Sequence, residues 1–284
     1  MFSRRALLKI ENIAVYVILV MAVSLAVFPI AWTVSTSFKS VGEYYTYPPV
    51  WIPKNPTIAN YTYIISTAGL DYLRNSLIIA SLNLLLVLGV SIPAAYGIAR
   101  FRVGGENLSF WILSQRMLPP VATIIPFFLL FRGFQLFDRQ ITLLDKHLGL
   151  ILVYCTFNIA FAVWLLIGFF ESFPAEIEEA AVIDGCSRIG AVLRVVIPVI
   201  APGIVVTGLF CFIFSWNEFL FALILTREAA KTVTLQLSQF RTPTKILWGE
   251  MSALSLITII PILVIVVFIQ RYLVKGLAFG AVKG

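Results

Sequence analysis

The chain has 284 residues, of which 60% are hydrophobic and only 12% charged, with a mean hydropathy of +0.96. A soluble domain is about half apolar and a quarter charged. These values exclude an ordinary soluble globule and place the chain in a bilayer, where length divides into spans of roughly 20 residues. The net charge of +7 comes from scattered lysines and arginines, without a basic run interleaved with aromatics; this argues against nucleic acid as a partner and fits loops beside anionic lipid headgroups.

In chain order, Arg4, Arg5 and Lys9 precede an apolar run from Ile13 to Trp32. The run exceeds the apolar core of a signal peptide, about 7–15 residues, and lacks a small-x-small cleavage site, so it reads as a retained first span. A loop rich in Tyr, Pro and Trp follows to Asp71, a composition suited to a membrane–water interface. Spans are predicted over 13–32, 73–99, 108–131, 148–170, 200–225 and 251–269, the third interrupted by Met117-Leu118-Pro119-Pro120 and Pro126. Residues 133–147 and 226–247 read as polar loops, and the last fifteen residues as a short tail.

The three cysteines, Cys155, Cys186 and Cys211, show no CxxC spacing and read as small packing residues. A single histidine, His147, is predicted in a loop, which leaves no histidine-based metal centre or catalytic triad.

Between spans four and five lies a polar island, 171–199, with Glu171, Glu176, Glu178, Glu179 and Asp184 drawn from only 14 acidic residues in the chain. Pro174 suits the first turn of a helix, where its missing N–H is harmless, and the glutamates then lie at the positive end of the helix dipole. Ser172 does not complete a capping box, because Ala175 stands three residues on. Gly185 suits a left-handed helix end, and Ser187 suits the cap of a second short helix through Val196. Pro198 and Pro202 then restrain the return to the membrane. On the first helix Ile177, Ala180, Ala181 and Asp184 share a face. Read from physics alone, the island is either a docking surface for a soluble partner or a plain solvated loop.

The stretch EEAAVIDGCSRIGAVLRVVIP resembles the EAA signature of permease subunits of ATP-binding-cassette importers: Glu-Ala-Ala, three residues, Gly, nine residues, then Ile-x-Leu-Pro. Glu179, Ala180, Ala181, Gly185 and Pro198 fall in register, with Val195 and Ile197 as aliphatic replacements and Cys186 where a small residue is usual. SWNEFLFALILT, QRYLVKGLAFGAVKG, RMLPPVATIIPFFLLF and HLGLILVY resemble the maltose-type, carbohydrate-importing branch, and the likeness covers essentially the whole chain.

The resemblance implies an all-α integral membrane fold: six transmembrane helices in a single domain over 1–284, with a cytoplasmic two-helix coupling loop, 171–199, between spans four and five. It implies a permease of a bacterial or archaeal inner membrane for a sugar, polyol or glycoside. Such a permease pairs with a homologous permease, two ATPase subunits and an extracytoplasmic solute-binding protein, toward which the 226–247 loop reaches. The coupling residues it implies are Glu178, Glu179, Ala180, Ala181, Asp184, Gly185 and Pro198. No Walker A sequence occurs in the chain, so ATP and Mg are expected on the partner ATPases and no cofactor or metal on this chain.

Polar groups inside spans are costly and usually face a cavity or a partner. Asn83, Gln115, Arg116, Asn158, Trp216, Asn217 and Glu218 are the substrate-pathway candidates, with Trp164 a further stacking candidate. The alternative is that the amides bind helices to each other, and that Trp216-Asn217-Glu218-Phe219 is an element of fold or gating.

Basic residues tie at ten on each side of the predicted spans. The flanks of the first span favour a cytoplasmic N-terminus, which six spans extend to both termini. Two other classes are weighed. An ion-coupled secondary transporter prefers paired ionisable groups near the midplane and inverted repeats, whereas Glu218 is the one clear acid. An intramembrane enzyme needs a nucleophile with a base, or a metal cluster.

Overall fold

The structure is a computed structural model that describes the backbone of residues 4–136 and 139–280. Side chains are described for 12–105, 107–133 and 141–270. Five helices are long and apolar enough to cross a membrane: Asn12–Ser37, Gly69–Phe101, His147–Ser172, Arg188–Trp216 and Trp248–Gln270. A bent pair, Asn107–Met117 with Pro120–Arg132, brings the number to six when counted as one span. Backbone compactness divides the chain into two units, residues 1–70 with 237–260 and residues 71–236 with 261–284.

In the first unit, α1 (Arg4–Ser37) exposes its apolar side chains from Ile13 to Ile30 on all sides. Such a helix is stable only where hydrocarbon surrounds it. After α1 the chain makes a 3-10 turn, Val41–Tyr45, and α2 (Ala59–Ser66). The buried Asn60 amide donates to the carbonyls of Ser37 (2.8 Å) and Lys39 (3.1 Å), closing the end of α1. Gly249, in the first turn of α12 (Trp248–Gly280), has no room for a side chain, since a Cβ would lie 1.9 Å from the Tyr44 hydroxyl.

The second unit is built on α3 (Gly69–Phe101), which has Asp71 in its first turn and Arg100 in its last, the arrangement its dipole favours. The predicted third span is α4 (Gly105–Ser114), a 3-10 turn (Gln115–Met117) and α5 (Pro120–Arg132), and the two halves diverge by 88°. The bend follows from consecutive prolines. Leu118 and Pro119, each preceding a proline, take extended ψ of 124° and 125°, and Pro120 opens a new helix where no N–H is needed. The predicted polar loop after α5 holds a small hairpin, β1 (Phe134–Leu136) paired antiparallel with β2 (Arg139–Ile141).

Helix α6 (His147–Ser172) begins at the histidine that sequence places in a loop, and its Nε2 is 2.7 Å from Asn75 Oδ1. The polar island forms α7 (Ala175–Ile183), with Pro174 at the N-cap, one position before the first turn. Then come α8 (Arg188–Ala191), a π-helical turn (Val192–Val196) and α9 (Ile197–Trp216). The second island helix and the fifth span are therefore one continuous helix, so this span starts well before residue 200. Pro198 cannot donate to the carbonyl four residues back and its ring crowds that turn; the wider π turn just ahead accommodates it.

The span also ends earlier than predicted, at Trp216, and residues Leu220–Leu225 form a separate helix, α10. The predicted loop beyond contains α11 (Val233–Gln239). Helix α12 continues through the predicted tail to Gly280.

Two apolar clusters consolidate the second unit. One gathers Ile79 and Val87 of α3, Leu150, Val153 and Tyr154 of α6, Cys211 of α9 and Phe221 of α10. The other gathers Ala95, Leu166, Phe170, Phe173, Val196 and Ile200, at the opposite ends of α3, α6 and α9. Helices α6 and α9 approach closely at Gly203, where a Cβ would stand 2.4 Å from the Phe169 ring.

Candidate functional site

Helix α7 closes with the hydrogen bonds of a Schellman motif. Gly185 N donates to Val182 O and Cys186 N to Ala181 O, both at 3.0 Å, and Gly185 takes φ +95°. A glycine adopts that conformation without steric penalty. Ser187 caps α8, its Oγ accepting from Gly190 N at 3.1 Å. These two caps fix a tight turn between α7 and α8.

Of the predicted coupling residues, Glu179, Ala180, Asp184, Gly185 and Pro198 are exposed and Ala181 is half-buried. Beside them stand exposed apolar side chains that the sequence reading passed over: Ile183 at 85% exposure and Ile189 at 73%, with Ile177 and Leu193. Polar and apolar groups thus share one open surface. Glu178 does something different. It is only 8% exposed, and its carboxylate faces α3, where Oε2 accepts from Arg100 Nε at 3.0 Å and Oε1 accepts from the Tyr96 hydroxyl. It serves contacts within the chain, and Arg100 and Tyr96 complete a group that the sequence reading did not assemble.

The predicted membrane-embedded polar residues separate into two sets. Asn83 and Asn158 are buried in a closed network. Asn83 donates to Ile151 O (3.0 Å) and Cys155 Sγ (3.2 Å), and its Oδ1 accepts from Asn158 (2.8 Å) and Ser215 Oγ (2.9 Å). Asn158 also donates to Ser215 Oγ at 2.9 Å. The network joins α3, α6 and α9. Trp216 is buried against Phe212, with the rings stacked at 5.6 Å, and Gln115 is exposed with its amide 3.3 Å from Trp111 O. Trp164 packs beside Phe161.

Arg116, Asn158, Asn217 and Glu218 border a cavity of about 560 Å³, together with Pro120, Tyr154, Phe157, Ile213, Phe214, Ser215, Leu220 and Phe221. The Arg116 guanidinium lies over the rings of Phe214 (4.3 Å) and Phe161 (4.9 Å) and donates to Phe157 O at 3.3 Å. Glu218 accepts from Tyr154 OH (2.7 Å) and from the amides of Phe221 (2.9 Å) and Ala222 (3.2 Å), so it holds the first turn of α10 while facing the cavity. The break at Asn217-Glu218 thus delivers a carboxylate and an amide to a wall otherwise built of rings. Arg116 and Glu218 offer directional polar groups, and the aromatic faces suit the C–H faces of a solute. Tyr154, Phe157, Phe214 and Phe221 read in sequence as ordinary apolar residues; nothing in their spacing marks them as cavity lining.

At the far end of α6, Asp145 has φ +55° and its carboxylate accepts four backbone amides, from Arg227 (2.9 Å), Ala230 (3.0 Å), Ala229 (3.1 Å) and Glu228 (3.2 Å). Burial pushes this carboxyl up, but the four donors outweigh it and hold it below the ordinary range. Asn75 donates to Ala229 O and Lys231 O at 3.0 Å each, so the 226–232 segment is tied down on two sides. Among the described residues, no group of three or more His, Cys, Asp or Glu could hold a metal ion.

A family model described as a binding-protein-dependent transport system inner membrane component matches residues 86–279. The chain belongs to that family. A probable ABC transporter permease of Sinorhizobium fredii is 35% identical to this permease over 257 residues, 90% of each chain. The sulfoquinovosyl glycerol transport system permease of Agrobacterium fabrum is 34% identical, covering 90% of this chain and 89% of its own. The trehalose/maltose permease of Thermococcus litoralis is 31% identical, over 92% of both.

Among solved structures, a chain of a bacterial ABC transporter that imports the acidic polysaccharide alginate superposes with a TM-score of 0.74 at 25% identity, covering 96% of this chain and 99% of that one. This protein is accordingly a multi-pass membrane subunit of an ABC importer, a transporter component and not an enzyme.

Proposed function

We propose that this permease carries a sugar or sugar-like solute through the cavity at Arg116 and Glu218, driven by ATP hydrolysed on separate subunits. The observation that carries this reading is the 171–199 loop, anchored to α3 on one side by Glu178 while it presents exposed Glu179, Ile183, Asp184 and Ile189 on the other. Exposed branched apolar groups beside carboxylates, on a turn fixed by two caps, suit a cleft on a soluble ATPase. The carbohydrate assignment is supported by the names of the relatives, which transport sulfoquinovosyl glycerol and trehalose/maltose, and by the mixture of rings, carboxylate and guanidinium lining the cavity.

In this reading the 171–199 loop and both termini lie on the cytoplasmic side of a prokaryotic inner membrane. The permease works with a homologous second permease, two ATPases that hold ATP and Mg, and an external solute-binding protein that meets the 226–247 loop. Closure of the ATPase pair moves the loop, and the spans alternate between inward- and outward-facing cavities.

The test is reconstitution in proteoliposomes with the cognate ATPase, second permease and binding protein, followed by uptake of radiolabelled mono- and oligosaccharides. ATP-dependent accumulation is expected, and Phe157→Ala is expected to raise the solute concentration for half-maximal uptake. Accumulation driven by an ion gradient in the absence of the ATPase refutes the reading.

A further inference from the structure

Five carboxylates crowd the 171–184 segment, and only Glu178 is buried. Its partners come from a helix about 80 positions earlier in the chain: Arg100 through a 3.0 Å ion pair and Tyr96 through its hydroxyl. Arg100 has a second bond, from Nη2 to Phe173 O at 2.7 Å, so one guanidinium holds both α7 and the linker ahead of it. On the other side of the turn, Arg188 of α8 stacks on the ring of Phe101 at 5.1 Å. Both halves of the loop therefore grip the last turn of α3, and the apolar cluster of Phe170, Phe173, Val196 and Ile200 lies against that end.

The other ion pair among the described residues, Lys231–Glu228, is a local i,i+3 contact whose glutamate is exposed. The Arg100–Glu178 pair is of another kind. Its side chains are 13% and 11% exposed, and separating such charges away from water is strongly opposed. A push on α7 is then carried to α3 as a rigid-body movement, because sliding one helix along the other breaks three polar contacts at once.

We propose that Tyr96, Arg100 and Glu178 form a latch that transmits movement of the 171–199 loop to α3, acting as positioning residues for transport. The proposal rests on the reading that this loop docks the ATPase. It predicts that weakening the latch leaves hydrolysis running while the spans follow it less faithfully.

The experiment uses the full complex with its binding protein in proteoliposomes. The variants are Tyr96→Phe, which keeps the ring packed on Phe170, Glu178→Gln, Arg100→Gln and the double variant Arg100→Gln/Glu178→Gln. Complex yield, ATP turnover and solute transported per ATP are measured together. Expected are normal yield, sustained ATP turnover and a fall in solute per ATP of about fivefold or more for Glu178→Gln and Arg100→Gln. The double variant should fall no further than either single one, as members of one unit do. Tyr96→Phe should lower the ratio less, and Arg100→Lys should restore part of it.

An unchanged ratio in both charge variants overturns the proposal. So does a loss of yield in those variants while Tyr96→Phe leaves the ratio intact, because the group is then a staple of the fold alone. A native complex that hydrolyses ATP without moving solute, or binds no ATPase, overturns the underlying reading instead.

Discussion

Replacing Asn83 with Ala separates its role as a helix tie from a role in contacting solute. The side chain is fully buried, takes part in four hydrogen bonds to α6 and α9, and does not line the cavity. In membrane proteins such bonds average about 0.6 kcal/mol each, so four of them come to about 2–3 kcal/mol. The loss is cushioned because Ser215 and Asn158 bond each other directly, and Ser215 also reaches Cys211 O at 3.0 Å. Unfolding in detergent, followed by intrinsic fluorescence, should show this loss, with a non-additive cycle against Asn158→Ala. Uptake by the surviving protein should keep its apparent solute affinity. A stability change below about 1 kcal/mol, accompanied by a tenfold or greater change in affinity, refutes the tie and returns Asn83 to the solute path.

Gly203→Ala should destabilise the protein by about 1–3 kcal/mol, the usual range for overpacking, because its Cβ meets the Phe169 ring at 2.4 Å; the same unfolding assay checks it. Gly185→Val imposes a β-branched side chain on φ +95°, a strain of about 1–3 kcal/mol. The spans should still insert while the ATPase recovered by affinity purification of the permease falls. Asp145 has its carboxyl held below the ordinary range, so it favours the folded loop when ionised and loses that contribution as pH falls through its lowered value, below about 4. Hydrogen exchange at the amides of Arg227–Ala230 should be slow near neutrality and fast below that value. In Asp145→Ala it should be fast at both pH values.

The fold was legible to the extent that it is written in local pattern. Long apolar runs gave the positions of the spans, Pro119-Pro120 marked the break in the third, and Gly185 and Ser187 announced a turn because only certain side chains suit those backbone positions. Less legible was anything fixed by a contact distant in sequence. Charge density drew attention to the 171–184 carboxylates, but the pattern could not tell that Glu178 turns inward, since Arg100 lies 78 residues away. Hydropathy likewise merged α9 and α10 into one span; the division comes from Asn217 ending one helix while Glu218 bonds the first turn of the next. The cavity was half legible. Its ionisable members stood out against an apolar background, whereas the rings beside them looked like any lipid-facing residue.

The π turn at Val192–Val196 has a consequence for how this chain tolerates insertion and deletion. Each residue in a regular helix turns the next by about 100°, and the wide turn sets the angular offset between the exposed Ile189 and the inward-facing line of Ile200, Gly203, Thr207 and Cys211. Deleting one residue from the turn allows an ordinary helix to form without a gap, so the backbone itself raises no objection. The whole membrane portion, however, is then rotated by more than a quarter turn against the docking surface. Either Gly203 leaves Phe169 or Ile189 leaves its cleft. Chain length between these two surfaces is therefore fixed to the single residue, even though no side chain in the interval is irreplaceable.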